Sequence, residues 1–571
     1  MSLSVFSRCA ARLRKLNSPC SPRLRLAAGL AASLMLLPLT TRANDPNAEL
    51  PLRVLIVGGG PDLANNQVAI ESNVRYVGKL LPPATPRTTL FADGDANRAS
   101  VLYDDDTKDV SIGERILSLL SPYPADDTGG HYRKPNLGAK LDGASRTPDI
   151  TKVFGQISQE ESIAPGGHRL LLYFTGHGSP RTPDFDNNMY DLWEEPRNTA
   201  LRGTNNLTVR ELAKQIARLP NDVPVSLVMV QCFSGAFGNL LFENGDPKGD
   251  PISRDLCGFF ATVKERVAAG CTSAVNEAEY RDFTSFFFAA LTGRDRVGRR
   301  VTGADYNSDG RVGMDEAFCY TLIHDDSIDV PVCTSDVFLR RFVTAEDQEL
   351  FQTSFNTMRP WASAAQRAAL DALSDKLKLG GNNRLSTAYT MLRSVGNTGR
   401  RPRTGVAEAR RRFQVIQNDG KSELVRAFPG LKVSSPALRR EPRLAAIAQL
   451  TREANQGKWK DLIEADEALE KAEHSVEAQE IADSQIIRFV RLAKSVILAH
   501  RLREGNDAGL KTRFARLIEA EGRTPLPPAD SLPRDTAAAP NTLRASARLV
   551  RNRVIHNHSA SHEDCGCTLP K

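Results

Sequence analysis

At 571 residues the chain is too long for one hydrophobic core and implies two or three domains. Its formal net charge of +7 does not signal nucleic-acid binding, because residues 1–43 hold seven basic side chains and no acidic one, which leaves the remainder neutral. No later run is long and apolar enough to span a bilayer.

The first segment reads as an export signal. Met1 to Arg25 is basic and free of acids, "LAAGLAASLMLLPLTT" is apolar, and "TRA" supplies small-residue cleavage chemistry after Ala43. A signal peptide over 1–43 implies a periplasmic or secreted protein; an uncleaved anchor is the alternative. Cys9 and Cys20 would leave with it, so seven cysteines remain. In an oxidising compartment an odd count leaves one thiol free.

"LRVLIVGGG" then reads as a buried strand entering a glycine turn, and "QVAIESNVRYVGKLL" as a helix with Val68, Ile70, Val74 and Val77 at helical spacing. "RTTLFADG" is a second strand. Strand and helix keep alternating through a helix with Ile150, Val153, Phe154 and Ile157 on one face, the strand "RLLLYF", a helix, the strand "VSLVMVQ", the strand-like "RVAAGCTSA" and the helix "TSFFFAALTG". Thr208 and Glu211 have capping-box spacing before Val209, Leu212, Ile216 and Leu219. Continuous apolar strands alternating with helices predict an α/β fold with a mostly parallel sheet flanked by helices. The glycines of "VLIVGGGP" lack the third glycine of a dinucleotide loop, with Leu63 in its place.

Beyond residue 345 the strand signals stop. An α-helical region is predicted over 346–522, interrupted at 395–445 by a basic, loop-rich connector with Gly and Pro breaks. From Arg400 to Arg443 twelve basic residues stand against four acidic ones, a solvated face or a surface for a polyanion or membrane. The helices offer surface for an oligomer or a partner. Residues 523–571 read as a disordered tail, and its His556, His558, His562, Cys565 and Cys567 lack zinc-like spacing.

Chemistry concentrates where two strands end. "LLLYFT" runs into Gly176-His177-Gly178 and "VSLVMVQ" into Cys232-Phe233-Ser234-Gly235. Functional groups collect at the C-terminal strand ends of a parallel sheet, and an imidazole can take a thiol proton and return it to a leaving amine. "DYNSDGRVGMDE" is a second constellation. Asp305, Asn307, Asp309, Gly310 and Glu316 fall at positions 1, 3, 5, 6 and 12 of an EF-hand loop, and Arg311 offers its carbonyl at position 7. Gly310 allows the sharp turn and the others are hard oxygen donors, so calcium is the predicted cofactor.

"YFTGHG" followed by "VSLVMVQCFSGAF" resembles the His-Gly and Cys blocks of caspase-like, clan CD cysteine peptidases, most closely the legumain-like branch. The resemblance covers roughly Leu52 to Leu322 and includes "CTSAVNEAEYRDFTSFFFAALTG". It implies a caspase-like peptidase domain over 44–345, protein or peptide substrates, Cys232 as nucleophile and His177 as general acid/base. The backbone N–H groups of Gly178 and Cys232 would form the oxyanion hole. Gln231 departs from the small or acidic residue that many relatives carry before the cysteine. Asp186, Glu277 and Glu279 lie in segments that approach the substrate in relatives and would favour Arg or Lys. With Cys232 set apart, six cysteines can pair, Cys257 with Cys271 and Cys319 with Cys333 being the local options among fifteen pairings. The alternative reading is a catalytically inactive caspase-like, calcium-binding scaffold or interaction protein.

Overall fold

The computed structural model describes residues 50–104, 110–122, 131–163, 167–194, 205–344, 351–398, 400–433 and 435–528. The expected signal peptide and all but the first residues of the expected tail, with its histidines and cysteines, lie outside the described residues.

Six strands form the central sheet: β1 (Leu52–Gly59), β2 (Arg87–Phe91), β3 (Arg169–Gly176), β4 (Val225–Met229), β5 (Leu256–Phe260) and β6 (Val332–Cys333), in the order β6-β5-β4-β3-β1-β2. All pairings are parallel except β5 with β6. Val54 to Val57 of β1 and Leu170 to Phe174 of β3 are buried throughout, as strands covered on both faces require. Gly59 stands opposite Gly176, and Phe174 opposite Met229, so β1, β3 and β4 finish at one edge. The residues that follow β3 and β4 therefore emerge side by side.

The α/β part carries helices α1 (Val68–Lys79), α2 (Ile112–Leu120), α3 (Thr147–Ile163), α4 (Val209–Ile216), α5 (Phe283–Thr292), α6 (Met314–His324) and α7 (Thr334–Phe342). The apolar positions expected for α3 are all buried. The box at α4 forms in both directions, with the Thr208 hydroxyl accepting from Glu211 N–H and the Glu211 carboxylate accepting from Thr208 N–H.

Two expectations fail in instructive ways. "RVAAGCTSA" is no sheet strand, because its N–H groups are drawn sideways: Ala268 N–H to Cys232 Sγ and Ala269 N–H to Asp329 Oδ1. The strand that extends the sheet is the shorter "LCGFF" of β5. The basic connector is mostly helical, formed by α10 (Arg400–Ala427) and α11 (Pro436–Asn455) after α8 (Ala364–Lys376) and α9 (Arg384–Thr398). Tertiary packing overrides the glycine breaks there: a Cβ on Gly420 would meet Leu120 Cδ2 at 2.8 Å and the Trp459 ring at 3.2 Å.

The last helices, α12 (Lys460–Glu504) and α13 (Ala508–Glu521), share the sheet's own core. Phe489, Val496, Leu498, Phe514 and Leu517 belong to the same buried cluster as Val57, Phe174 and Phe259. A second cluster joins Ile116, Leu117 and Leu120 of α2 to Phe413, Leu424, Leu450 and Leu462. The helical region is thus continuous with the α/β core. No helix among the described residues is long and apolar enough to cross a membrane.

Candidate active site

The sheet edge brings the His-Gly and Cys segments into contact. A Cβ placed on Gly178 would lie 2.4 Å from the Cys232 carbonyl oxygen, 2.7 Å from Gln231 Cγ and 3.0 Å from the Met189 carbonyl oxygen. Only a residue without a side chain allows this approach. After Cys232 the chain turns sharply through Phe233, whose φ of 60° is the left-handed conformation that a non-glycine residue adopts at a cost of about 1–2 kcal/mol. The turn is held by Phe233 N–H donating to the Arg266 carbonyl at 2.8 Å and by Asn188 Nδ2 donating to the Lys264 carbonyl at 2.9 Å.

His177 is half-buried, and its surroundings are specific. Nε2 lies 2.9 Å from Gln67 Oε1, and the ring also hydrogen-bonds the Asn65 backbone. Asp191, across the short antiparallel pairing of Gly178–Ser179 with Met189–Asp191, donates its N–H to the His177 carbonyl at 3.0 Å. Burial pushes the imidazole pKa down and outweighs the raising influence of Asp191, so the ring is neutral at neutral pH. Burial also pushes Asp191 up, to about 6, against a hydrogen bond from Ser179 Oγ at 2.8 Å.

Cys232 is half-buried on the facing segment. Its Sγ accepts the Ala268 N–H at 3.2 Å, and burial drives the thiol pKa well up. Cys271 stands close by, donating to the carbonyl of Gly176 at 3.8 Å, with its own pKa raised by burial to about 12. Neither expected local disulfide is present: Cys257, Cys271, Cys319 and Cys333 are all free thiols. Cys257 faces Ser226 Oγ and the Ala520 carbonyl, and Cys333 faces Ser335 Oγ.

The three acids considered for substrate recognition are dispersed and partnered. Asp186 pairs with Lys264 Nζ at 2.7 Å and accepts from Asn239, near the Cys232 turn. Glu277 pairs with Arg75 of α1, and Glu279 accepts from Asn276 Nδ2 at 2.9 Å. A buried pair that sequence reasoning passed over, Asp282 with Arg296, also holds Asn73. Gln67, Asp191 and Asp329 were likewise missed; they come from three separate segments, and no local pattern marks them.

The loop 305–316 closes on itself. Asp305 accepts from Asp309 and Gly310 N–H, Asn307 Oδ1 from Asp309 N–H at 2.8 Å, and Asp309 Oδ1 from Arg311 N–H at 2.9 Å. Glu316, buried in the first turn of α6, reaches back to the N–H groups of Tyr306 and Asn307 at 2.8 and 3.0 Å. No group of three or more His, Cys, Asp or Glu side chains among the described residues is arranged to hold a metal ion. The loop supplies only oxygen donors, from Asp305, Asn307, Asp309, Glu316 and the Arg311 carbonyl, the chemistry that a hard cation takes, and its carboxylates here accept the loop's own N–H groups.

Compared with known proteins, the chain matches no family model and no curated protein sequence.

Proposed function

We propose that this chain is an exported, calcium-binding cysteine endopeptidase of the caspase-like, legumain-like kind. One observation carries the reading: His177 and Cys232 leave neighbouring parallel strands at one sheet edge, with Gly178 packed directly on the Cys232 carbonyl. Cys232 Sγ attacks the scissile carbonyl carbon while its proton passes to the neutral His177 ring. The tetrahedral oxyanion draws on the N–H groups of Gly178 and Cys232, and His177 returns the proton to the leaving amine. Water then hydrolyses the thioester, with His177 again taking the proton. A preference for Arg or Lys rests on Asp186, the one of the three acids beside the Cys232 turn. A peptide panel in which Asn or Asp is cut best rejects that preference.

In the EF-hand-type loop, calcium would take Asp305, Asn307, Asp309, the Arg311 carbonyl and Glu316, tying the loop to the start of α6. Millimolar calcium is expected to raise the melting temperature of the wild type and leave Glu316→Gln unmoved; equal responses reject the site.

The test of the activity is incubation of the mature protein, with and without calcium, with a mixed peptide library, using Cys232→Ala as control. Cleavage lost in the variant supports the peptidase. A second reading, an inactive calcium-binding scaffold, is favoured by the Cys232 thiol itself, whose pKa is driven up by desolvation and away from the reactive thiolate. It gains if no cleavage occurs under any calcium condition and Cys232 reacts no faster than a generic thiol.

A further inference from the structure

The strand-like segment that failed to join the sheet has another task. Ala268 N–H points at Cys232 Sγ at 3.2 Å, and the next N–H, of Ala269, donates to Asp329 Oδ1 at 2.7 Å. Asp329 is fully buried, and its Oδ2 has no hydrogen-bond partner among the described residues. The hydrogen bond of this buried carboxyl group is thus made to the peptide that follows Ala268.

The loop that carries Asp329 is clamped from the helical region. Arg488 of α12, 1% exposed, donates Nε to the Asp329 carbonyl at 2.7 Å and Nη2 to the Ser327 carbonyl at 3.2 Å, and it pairs with Asp325 at 3.4 Å. Ser484 Oγ, one turn earlier, donates to the Ile328 carbonyl at 2.8 Å. Arg266 completes the frame, donating to Ser484 Oγ at 3.2 Å while its own carbonyl accepts the Phe233 N–H.

We propose that Asp329 is a positioning residue for the nucleophile: it holds the Ala268–Ala269 peptide so that Ala268 N–H supports the Cys232 thiolate, and α12 braces it through Arg488 and Ser484. The assignment rests on the peptidase reading for its purpose, while its geometry stands apart from that reading. A donor aimed at sulfur favours the thiolate over the thiol. Burial, with Asp325 close by, raises the Asp329 pKa, which weakens the charge it sets against that thiolate.

The test compares Asp329→Ala with Asp329→Asn in the full mature chain. Both remove the ionisable group, but Asn keeps an acceptor for Ala269 N–H. The readouts are the rate of Cys232 alkylation by iodoacetamide against pH, mapped by mass spectrometry, together with kcat and KM on a cleaved peptide and the melting temperature. Asp329→Asn is expected to restore wild-type behaviour. Asp329→Ala is expected to alkylate about three- to tenfold more slowly at pH 7, the worth of one hydrogen bond to sulfur, with kcat reduced and KM unchanged. Equal alkylation in the two folded variants overturns the proposal. If Asp329→Ala does not fold, Ser484→Ala reads the same brace: about twofold slower alkylation supports it and an unchanged rate overturns it. Alkylation needs no peptidase activity, so a wild type that cleaves nothing removes the functional reading and leaves this measurement standing.

Discussion

Replacing Gly178 with alanine tests the site with a single methyl group. Its φ is not positive, so alanine meets no backbone objection, and the effect is one of space alone. The new Cβ would lie 2.4 Å from the Cys232 carbonyl oxygen and 3.0 Å from that of Met189, both backbone atoms, while ordinary contact begins at 3.4 Å. The segments must therefore separate by about 1 Å, a displacement that costs about a hundredfold in rate when it moves reacting groups. Overpacking costs about 1–3 kcal/mol, offset by the roughly 0.4–1 kcal/mol that alanine gives through a less free unfolded chain. A net loss of about 1–2 kcal/mol is expected. The assay is kcat/KM on a fluorogenic peptide beside a urea unfolding curve, with Gly155→Ala as control. Gly155 lies in α3 with no atom within 4 Å of its would-be Cβ, so that variant should keep its rate and gain stability. A folded Gly178→Ala protein with wild-type kcat/KM would refute the oxyanion-hole assignment.

Two further outcomes follow from polar groups that are wholly or partly buried. Gln67→Glu places a carboxylate against His177 Nε2, which favours the imidazolium, so the acid limb of the kcat/KM profile should move up by about 1–2 pH units; an unmoved limb means that His177 is not the titrating base. Glu521, 2% exposed, has its pKa raised to about 7 by burial from an ordinary 4.5. The folded state thus binds the extra proton, and stability is full below pH 4.5 and falls as pH rises toward 7. Glu521→Gln keeps an oxygen for Thr334 and Ser335 and should match the wild type at pH 4, then exceed it by up to about 3 kcal/mol above pH 7 in denaturant titrations. Parallel stability curves would place the titration elsewhere.

The legible parts of this chain were those whose meaning is local. The apolar runs of β1, β3 and β4, the Thr208 cap and the glycine-flanked His177 each carry their signal within a few residues. β5 and β6 do not, since "LCGFF" is short and β6 is two residues fixed by an antiparallel partner far back in the chain. The connector misled because Gly405, Gly420 and Pro442 are counted as breakers in isolation, whereas α10 and α11 are held by α2 and α12. In the candidate site, Cys232 and His177 stand out in the sequence because chemistry at strand ends has a pattern, and the fold sets their segments side by side. Gln67, Asp191 and Asp329 could not, because each is defined only by what the fold sets beside it.

The boundary near residue 345 separates two kinds of secondary structure, and the core ignores it. Glu521 accepts from Thr334 Oγ and Ser335 N–H at the start of α7, Arg523 pairs with Asp255, and the Ala520 carbonyl accepts from Cys257 of β5. The carbonyl of Arg523, at the head of the expected tail, accepts the Met314 N–H, and Leu526 is 1% exposed. A chain ended at residue 345 would therefore bare the apolar face of β5 and α7 and leave Asp336, paired with Arg491, without one of its two arginines. Removing one partner of a buried ion pair alone costs about 3–5 kcal/mol, a large share of a domain's stability. The 44–345 fragment is expected to be insoluble or to lack a cooperative unfolding transition, whereas the 44–528 chain unfolds cooperatively. A soluble fragment with a sharp transition would show that the α/β part holds itself together, and that the helices are an attachment to it.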